Sequence, residues 1–170
     1  INNLHKETPN KFSEAMEQLY YHYLEDGTHQ PIINEKLYKL SKKYGKQLNQ
    51  HIFTHLDYKL EYFGFSTLVK SYLLRANHKI IERPQYLWMR VSLAIHGSEL
   101  DNVFKSYHYL SNLYFTHATP TLFHAGTTHQ QLSSCFLMGT EDSVESIYKT
   151  IGDMAMIQKW AGGIGVHLSN

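Results

Sequence analysis

The sequence predicts an α+β fold in which a mainly helical N-terminal part is followed by a strand, a helix and a second strand. Apolar residues recur at helical spacing through roughly the first two-thirds of the 170 residues. Two short apolar runs bounded by turn residues then flank one further helical pattern. This final order is typical of the opening βαβ unit of a larger α/β domain. With 42% hydrophobic and 14% aromatic residues, the chain has enough apolar side chains to form a packed core.

Two helical patterns come first. One spans 8–24, where Thr8 is the predicted cap and Pro9 lies in the first turn. The other runs from Asn34 to about Leu48 and holds five lysines. We interpret its lysine face as ordinary solvated surface, because the net charge of the whole chain is only +1.

Three more helical patterns follow before the composition changes. Gly64 predicts a turn ahead of a short helix over 66–74. A helix over 84–97 is opened by a proline and closed by a glycine, and another over 98–114 is predicted to start at Ser98. The first two-thirds of the chain is therefore expected to be mostly helical.

The last third combines a loop, two strands and a helix. Residues 116–130 contain Pro, Gly and several Thr and His without periodicity, so they predict a loop. Strands are predicted over 132–138 and 164–168. The helix between them is predicted to start with Asp142 and Glu145 as a capping box and to end at a glycine pair.

Charge, hydropathy and cysteine content exclude several classes of protein. A net charge of +1 gives no electrostatic reason to expect a nucleic-acid or membrane partner, and no apolar run is long enough to span a bilayer. The single cysteine, Cys135, excludes a disulfide within the chain and is typical of a reducing cytosol, so a cytoplasmic location is expected. Because the first residue is Ile1 and the last residues read as a strand without a continuation, we expect a fragment of a longer protein.

Two motifs resemble parts of ligand-binding sites, but in both cases the sequence favours an interpretation without a ligand. The glycines of AGGIG follow a helix and open a strand, the reverse of a dinucleotide-binding fingerprint, which favours a helix stop over a phosphate loop. His51 and His55 stand one helical turn apart, but no Glu, Asp or Cys stands at a supporting spacing, so no metal site is predicted.

Two chemical questions stay open from the residues alone. Cys135 has the surroundings of a small buried hydrophobe, and the alternative is a reactive thiol. Asp142 and Ser143 have the spacing of ordinary helix caps, and the alternative is a nucleotide held at the start of the helix.

Eight longer motifs occur in order along nearly the whole chain. They are LHKET, YFGF, SYLL, ERPQYLWMRVSLAIH, THATPTLFHAGT, QLSSCFL, DSVESIY and KWAGGIGV. Together they resemble the large, catalytic subunit of class I ribonucleotide reductase. The resemblance implies an ATP-binding cone, then a helical domain, then a ten-stranded α/β barrel. On this basis 1–57 is a helical segment that follows an absent cone, 58–130 is the helical domain, and 131–170 is the start of the barrel.

Members of that family reduce ribonucleoside diphosphates to deoxyribonucleoside diphosphates for DNA synthesis. The resemblance therefore implies an oxidoreductase that uses radical chemistry, a redox-active cysteine pair and allosteric control by ATP and deoxynucleoside triphosphates. The expected partners are a second large subunit and a small subunit, which holds the metal–radical cofactor. Thioredoxin or glutaredoxin is the expected reductant, and no cofactor is expected in this chain.

The resemblance also assigns roles residue by residue. It places Cys135 in the redox pair, with the partner cysteine in a later strand outside the chain. Ser134 and Thr119 match positions that contact substrate, where a hydroxyl holds phosphate or ribose without adding charge. The positions that bind the allosteric effector are matched by Asp142, Ser143, Val144 and Lys159.

Two residues depart from the family pattern. His124 stands where Asn is common, and Trp160 stands where a small residue is usual. The family's radical-cysteine motif, N-x-C-x-E, is absent, so residues 1–170 alone are predicted to be inactive. Two alternatives stay open: a non-catalytic homologue that acts as a binding scaffold, and a self-contained helical nucleotide-binding or interaction module.

Overall fold

The computed structural model describes residues 1–168 and has the predicted order of a helical part followed by a βαβ unit. The α-helices are α1 (Asn2–Glu7), α2 (Phe12–Tyr20), α3 (Glu35–Lys43), α4 (Gly45–Gln50), α5 (Tyr62–Thr67), α6 (Pro84–His96), α7 (Leu100–Ser111), α8 (Thr119–His124) and α9 (Val144–Lys159). A 3₁₀ helix covers Thr54–Lys59 and a π-helix covers Leu68–Tyr72. The strands are β1 (Arg75–Ala76), β2 (Lys79–Ile80), β3 (Cys135–Thr140) and β4 (Gly163–Leu168). The predicted α+β class is confirmed.

Helix α6 forms the centre of the helical part. It begins with Pro84, its first ten residues are all buried, and it ends at Gly97, whose φ is +62°. It packs mainly against α7, with further contacts to α3 and α8. Apolar side chains of α2, α3 and α7 complete a core that also includes Leu122 and Ala125, near the end of α8. A helix that is apolar around most of its surface is typical of such a central position.

A buried ion pair connects α6 to three other segments. Arg90 of α6 and Glu82 are both fully buried, and Arg90 Nε lies 2.6 Å from Glu82 Oε1. The same guanidinium donates to the carbonyl oxygens of Leu122 (3.0 Å) and Ala125 (2.6 Å). Glu82 in turn accepts from the backbone N–H of Leu74 at 3.0 Å. Because the two charges satisfy each other and these backbone groups, the network fixes α8 and the segment after the π-helix against α6.

The first predicted helix starts later than the sequence pattern indicates. Helix α2 begins at Phe12, Thr8 ends α1, and Pro9 lies between the two helices. The predicted capping role of Thr8 is therefore wrong. Its hydroxyl donates to Leu4 O at 2.7 Å and accepts from Arg83 Nε at 2.7 Å, and this second partner is 75 residues away in sequence.

The second predicted helix is divided in two. The predicted start at Asn34 agrees with the structure, where Asn34 caps α3 and its Oδ1 accepts from the N–H of Leu37 at 2.8 Å. The helix stops at Tyr44, and α4 starts at Gly45, where an added Cβ would lie 3.3 Å from Ser13 Cβ. Close packing of α4 against α2 therefore favours the break over a continuous helix.

A predicted turn and a predicted loop contain helices, and one predicted helix starts later than expected. Gly64 lies inside α5 and not at a turn, and α5 continues directly into the π-helix. The predicted loop over 116–130 includes α8, whose final carbonyls are satisfied by Arg90 of another helix. Ser98 does not cap α7, which follows Glu99 without a side-chain cap.

Residues 135–168 form the predicted βαβ unit. Strands β3 and β4 pair in parallel with α9 between them, and the register runs from Cys135 beside Gly163 to Thr140 beside Leu168. The first strand starts three residues later than predicted, since residues 132–134 lie outside it. Within residues 1–168, no helix combines the length and the apolar character that crossing a bilayer requires.

Candidate functional site

Cys135 is the first residue of β3 and lies on the open face of the small sheet. Along β3 the side chains alternate between exposed and half-buried, and Cys135 belongs to the exposed set. The opposite face packs on α9, where Thr140 Oγ1 lies 3.2 Å from Ser146 Oγ. Because side chains alternate along a strand, the thiol points away from α9. The interpretation of Cys135 as a buried hydrophobe is wrong.

Ser134 lies directly beside the thiol. Its Oγ is 3.6 Å from Cys135 Sγ, and its backbone oxygen accepts from the N–H of Gly163 at 2.7 Å. The second contact ties this residue to the start of β4. The Ser134 hydroxyl and the Cys135 thiol therefore lie side by side where β3 begins.

Thr119, the other predicted substrate contact, is the half-buried first residue of α8. Its Oγ1 lies 3.0 Å from the hydroxyl of Tyr72, at the end of the π-helix. Helix α8 is also tied to the segment before β3, because Thr121 Oγ1 donates to Leu132 O at 3.0 Å. The structure therefore connects the segment holding Thr119 to the segment that leads into Ser134.

The predicted effector residues Asp142, Ser143 and Val144 lie at the opposite end of β3, about 20 Å along a six-residue strand. Ser143 caps α9, with its Oγ accepting from the N–H of Ser146 at 3.1 Å. The predicted capping box of Asp142 with Glu145 is therefore wrong, because the residue one position later makes the cap. Asp142 keeps an exposed carboxylate beside the start of the helix.

Lys159 lies at the other end of α9 from these residues. The helix has 16 residues, so its ends are about 24 Å apart. Lys159 Nζ sits 5.4 Å from the centre of the Trp160 ring. Within one chain, the structure does not bring Lys159 together with Asp142, Ser143 and Val144.

Trp160 and His124, the two departures from the family pattern, lie in one cluster. Trp160 stacks on the ring of His129, with centroids 3.4 Å apart, and meets His124 edge-on at 5.9 Å. Burial lowers the pKa of His124, and the charges of His129 and Arg90 lower it further, against a raising contact from the Gln131 carbonyl. These rings join the helical part to the end of α9.

The histidine pair considered as a metal site has other partners. His51 stacks on Phe104 with ring centroids 3.7 Å apart, and its Nδ1 lies 2.9 Å from Gln47 O. In the described part of the chain, residues 1–168, no group of three or more His, Cys, Asp or Glu side chains is placed to hold a metal ion.

Comparison with known protein families shows which family this chain belongs to. The profile of the ribonucleotide reductase all-alpha domain matches residues 58–130, and that of the ribonucleotide reductase barrel domain matches residues 133–170. The chain belongs to the ribonucleotide reductase large-subunit family. The resemblance inferred from the motifs is confirmed.

Several curated relatives of this chain align over its whole length. The large subunits of ribonucleoside-diphosphate reductase from Acanthamoeba polyphaga mimivirus and Monkeypox virus are 52% and 50% identical to it. The ribonucleoside-diphosphate reductase large chain 2 of Saccharomyces cerevisiae is 48% identical. The chain spans about a fifth of the length of these relatives, at 20%, 22% and 20% respectively.

Three residues that shape the site were not identified from the sequence. Tyr72 contacts Thr119, Arg90 holds the end of α8, and His129 stacks on Trp160. Each of these residues is at least 31 positions in the sequence from the residue that it contacts, and Arg90 and Ala125 are 35 positions apart. A charged residue, Arg90, inside the mostly apolar pattern of α6 was one available signal, because a buried charge requires partners.

Proposed function

We propose that this chain is part of a ribonucleoside-diphosphate reductase, which reduces ribonucleoside diphosphates to deoxyribonucleoside diphosphates for DNA synthesis. The observation that supports it most directly is the exposed thiol of Cys135 on the open face of β3, inside a segment that matches the family's barrel domain. In an α/β barrel the helices cover the outside, so the face of a strand opposite its helix lines the interior. Cys135 then faces the interior of the barrel.

Cys135 serves in this proposal as one member of a redox pair with a cysteine from a later strand. Each turnover removes one ribose hydroxyl as water and replaces it with hydrogen. The two electrons come from the two thiols, which become a disulfide. Thiol–disulfide exchange with thioredoxin or glutaredoxin then restores the pair. The small subunit holds the metal–radical cofactor that starts the reaction.

The hydroxyls of Ser134 and Thr119 are proposed to bind the substrate. Ser134 lies next to the thiol, and the segment that leads to it is tied to α8, which begins with Thr119. Hydroxyl groups donate to phosphate or ribose oxygens without placing a second charge near the thiol.

Asp142, Ser143, Val144 and Lys159 are proposed to bind ATP or a deoxynucleoside triphosphate as allosteric effector. The two ends of α9 are too far apart for one nucleotide to contact both within one chain. An antiparallel pairing of α9 with α9 of a second large subunit removes this difficulty, because each Lys159 then approaches the other chain's Asp142. The exposed apolar side chains of Val144, Tyr148 and Ile151, at 71%, 71% and 53%, support such a helix pair.

The domain division and the location follow from the same proposal. Residues 1–57 form a helical segment that follows an ATP-binding cone, 58–130 form the helical domain, and 131–170 begin the ten-stranded barrel. The enzyme works in the cytoplasm, where reduced thiols are maintained.

The direct test is an assay of a large subunit that contains these residues, mixed with its small subunit, a dithiol and cytidine diphosphate. The expected product is deoxycytidine diphosphate, formed over many turnovers and dependent on an effector nucleotide. A preparation that binds nucleotides but forms no deoxynucleotide would contradict the proposal and favour a non-catalytic scaffold.

A further inference from the structure

We propose that Tyr72 is a positioning residue that orients the hydroxyl of Thr119 toward the substrate. The proposal rests on the assignment of Thr119 to substrate binding made above. It starts from one contact, the 3.0 Å separation of Tyr72 Oη and Thr119 Oγ1. This contact crosses from the end of the π-helix to the start of α8.

The direction of this hydrogen bond follows from the chemistry of the ligand. A threonine hydroxyl has a single hydrogen to donate and two lone pairs to accept with. A diphosphate oxygen can only accept, so Thr119 must give its hydrogen to the substrate. Tyr72 must then be the donor to Thr119 Oγ1. The tyrosine thereby fixes the rotation of the threonine hydroxyl before the substrate arrives.

The placement of Tyr72 depends on an irregular turn. The N–H of Leu73 donates to Leu68 O at 3.0 Å, five residues back, which makes this segment a π-helix. Short π-helical turns are rare and occur often at functional sites. The Tyr72 ring also packs on Phe123 of α8, with centroids 4.7 Å apart. This contact with Phe123 fixes the ring of Tyr72 in a position from which its hydroxyl contacts Thr119.

The buried pair of Glu82 and Arg90 fixes the two segments relative to each other. Glu82 accepts from the N–H of Leu74, two residues after Tyr72, at 3.0 Å. Arg90 donates to Leu122 O at 3.0 Å in α8. Both ion-pair partners are fully buried. The distance between Tyr72 and Thr119 is therefore set by the core of the helical part and not by flexible loops.

The test measures reduction of cytidine diphosphate by a full-length large subunit that contains these residues, with its small subunit. Tyr72→Phe removes the hydroxyl and keeps the ring contact with Phe123. We expect a KM about two- to tenfold higher, the loss of one hydrogen bond, with kcat and the melting temperature nearly unchanged. Tyr114→Phe is the matched control, because Tyr114 is 71% exposed and packs near His108, and its KM should equal that of the parent.

A double-mutant cycle separates positioning from a general structural role. Thr119→Val should raise KM by itself, and adding Tyr72→Phe should raise it no further, because the two residues act through one hydroxyl. In a Thr119→Ser background, which keeps the hydroxyl, Tyr72→Phe should raise KM again.

The possible failures are distinguishable. Two results would overturn the role of Tyr72 alone. One is that Tyr72→Phe raises KM further in the Thr119→Val background. The other is that Tyr72→Phe leaves KM unchanged while Thr119→Val raises it. An unchanged KM in Thr119→Val would overturn the assignment of Thr119 to substrate binding, and the positioning role with it.

Discussion

At the scale of single residues, the structure depends most on charges buried inside the helical part. Arg90 and Glu82 are both fully buried and are linked by a 2.6 Å contact between Nε and Oε1. Replacing one partner leaves the other charge without compensation in a site closed to water.

Arg90→Met should therefore lower the free energy of unfolding by about 3–5 kcal/mol. Lys39→Met is the control, because Lys39 and Glu35 form an exposed pair at 2.9 Å and its removal should cost less than about 1 kcal/mol. Urea unfolding of the purified chain measures both values. Equal losses in the two variants would show that the buried pair has no special role.

His124 should make stability depend on pH. Burial is the main cause of its lowered pKa, so the folded chain binds fewer protons at this site than the unfolded chain. Its stabilising contribution is then complete above the unfolded pKa of 6.5 and is lost as the pH falls from there toward its lowered native pKa. Burial also lowers the pKa of His117, which acts in the same direction.

In His124→Asn the free energy of unfolding should fall less steeply between about pH 7 and about pH 5 than in the parent. Part of the fall should remain, because His117 is still present. Urea unfolding at each pH measures this change. His78→Asn, at an exposed turn position, is the control and should leave the slope as it is in the parent. A His124→Asn chain with the parent's slope would refute this effect.

Single-residue predictions from the sequence succeeded where the partner is local. Pro84 was recognised as the start of α6, because a proline at the first helical position needs no partner elsewhere in the chain. Thr8 was misassigned because its hydroxyl binds Arg83, 75 residues away. The exposure of Cys135 could not be predicted from the sequence either, because it depends on which face of β3 packs against α9.

At the scale of elements, α9 contains Gly152 near its middle and is followed by Gly162, and these two glycines have opposite surroundings. An added Cβ at Gly162 would lie 2.6 Å from Ile157 Cγ2 and 2.9 Å from Phe136 Cε2. At Gly152, inside the helix, nothing lies within 4 Å of the added atom. The glycine after the helix is therefore required by close packing of helix on strand, and the one within it is not.

Gly162→Ala should consequently destabilise the chain by about 1–3 kcal/mol through overpacking. Gly152→Ala should stabilise it by about 0.5–1 kcal/mol, because alanine restricts the unfolded chain and favours the helix. Thermal unfolding followed by circular dichroism measures both. A stabilising Gly162→Ala substitution would contradict the packing described at the end of α9.

Elements were predictable where sequence and local packing agree. The βαβ unit and α6 have clear periodicity with proline or glycine at their ends, and both were predicted. The break at Tyr44, the π-helix and α8 were not, because each depends on contact with another helix. The roles proposed for Thr119 and Ser134 come from the family motifs, since no periodic pattern marks a substrate-binding hydroxyl.

At the scale of the whole molecule, the residues proposed for substrate reduction and those proposed for effector binding lie at opposite ends of one strand. Ser134 and Cys135 lie at one end of β3, and Asp142 and Ser143 lie at the other. In the proposed function, substrate reduction at the first end and effector binding at the second are linked through one strand and one helix. We propose above all that the thiol of Cys135 supplies electrons to the substrate.

The most direct test is Cys135→Ser in a full-length large subunit that contains these residues, assayed with its small subunit. We expect turnover with a dithiol reductant to be lost, because serine cannot form the disulfide that stores the two electrons. Binding of cytidine diphosphate and of effector nucleotides should stay close to that of the parent, since the substitution changes one atom. Multiple-turnover reduction of cytidine diphosphate by the Cys135→Ser enzyme would contradict the account.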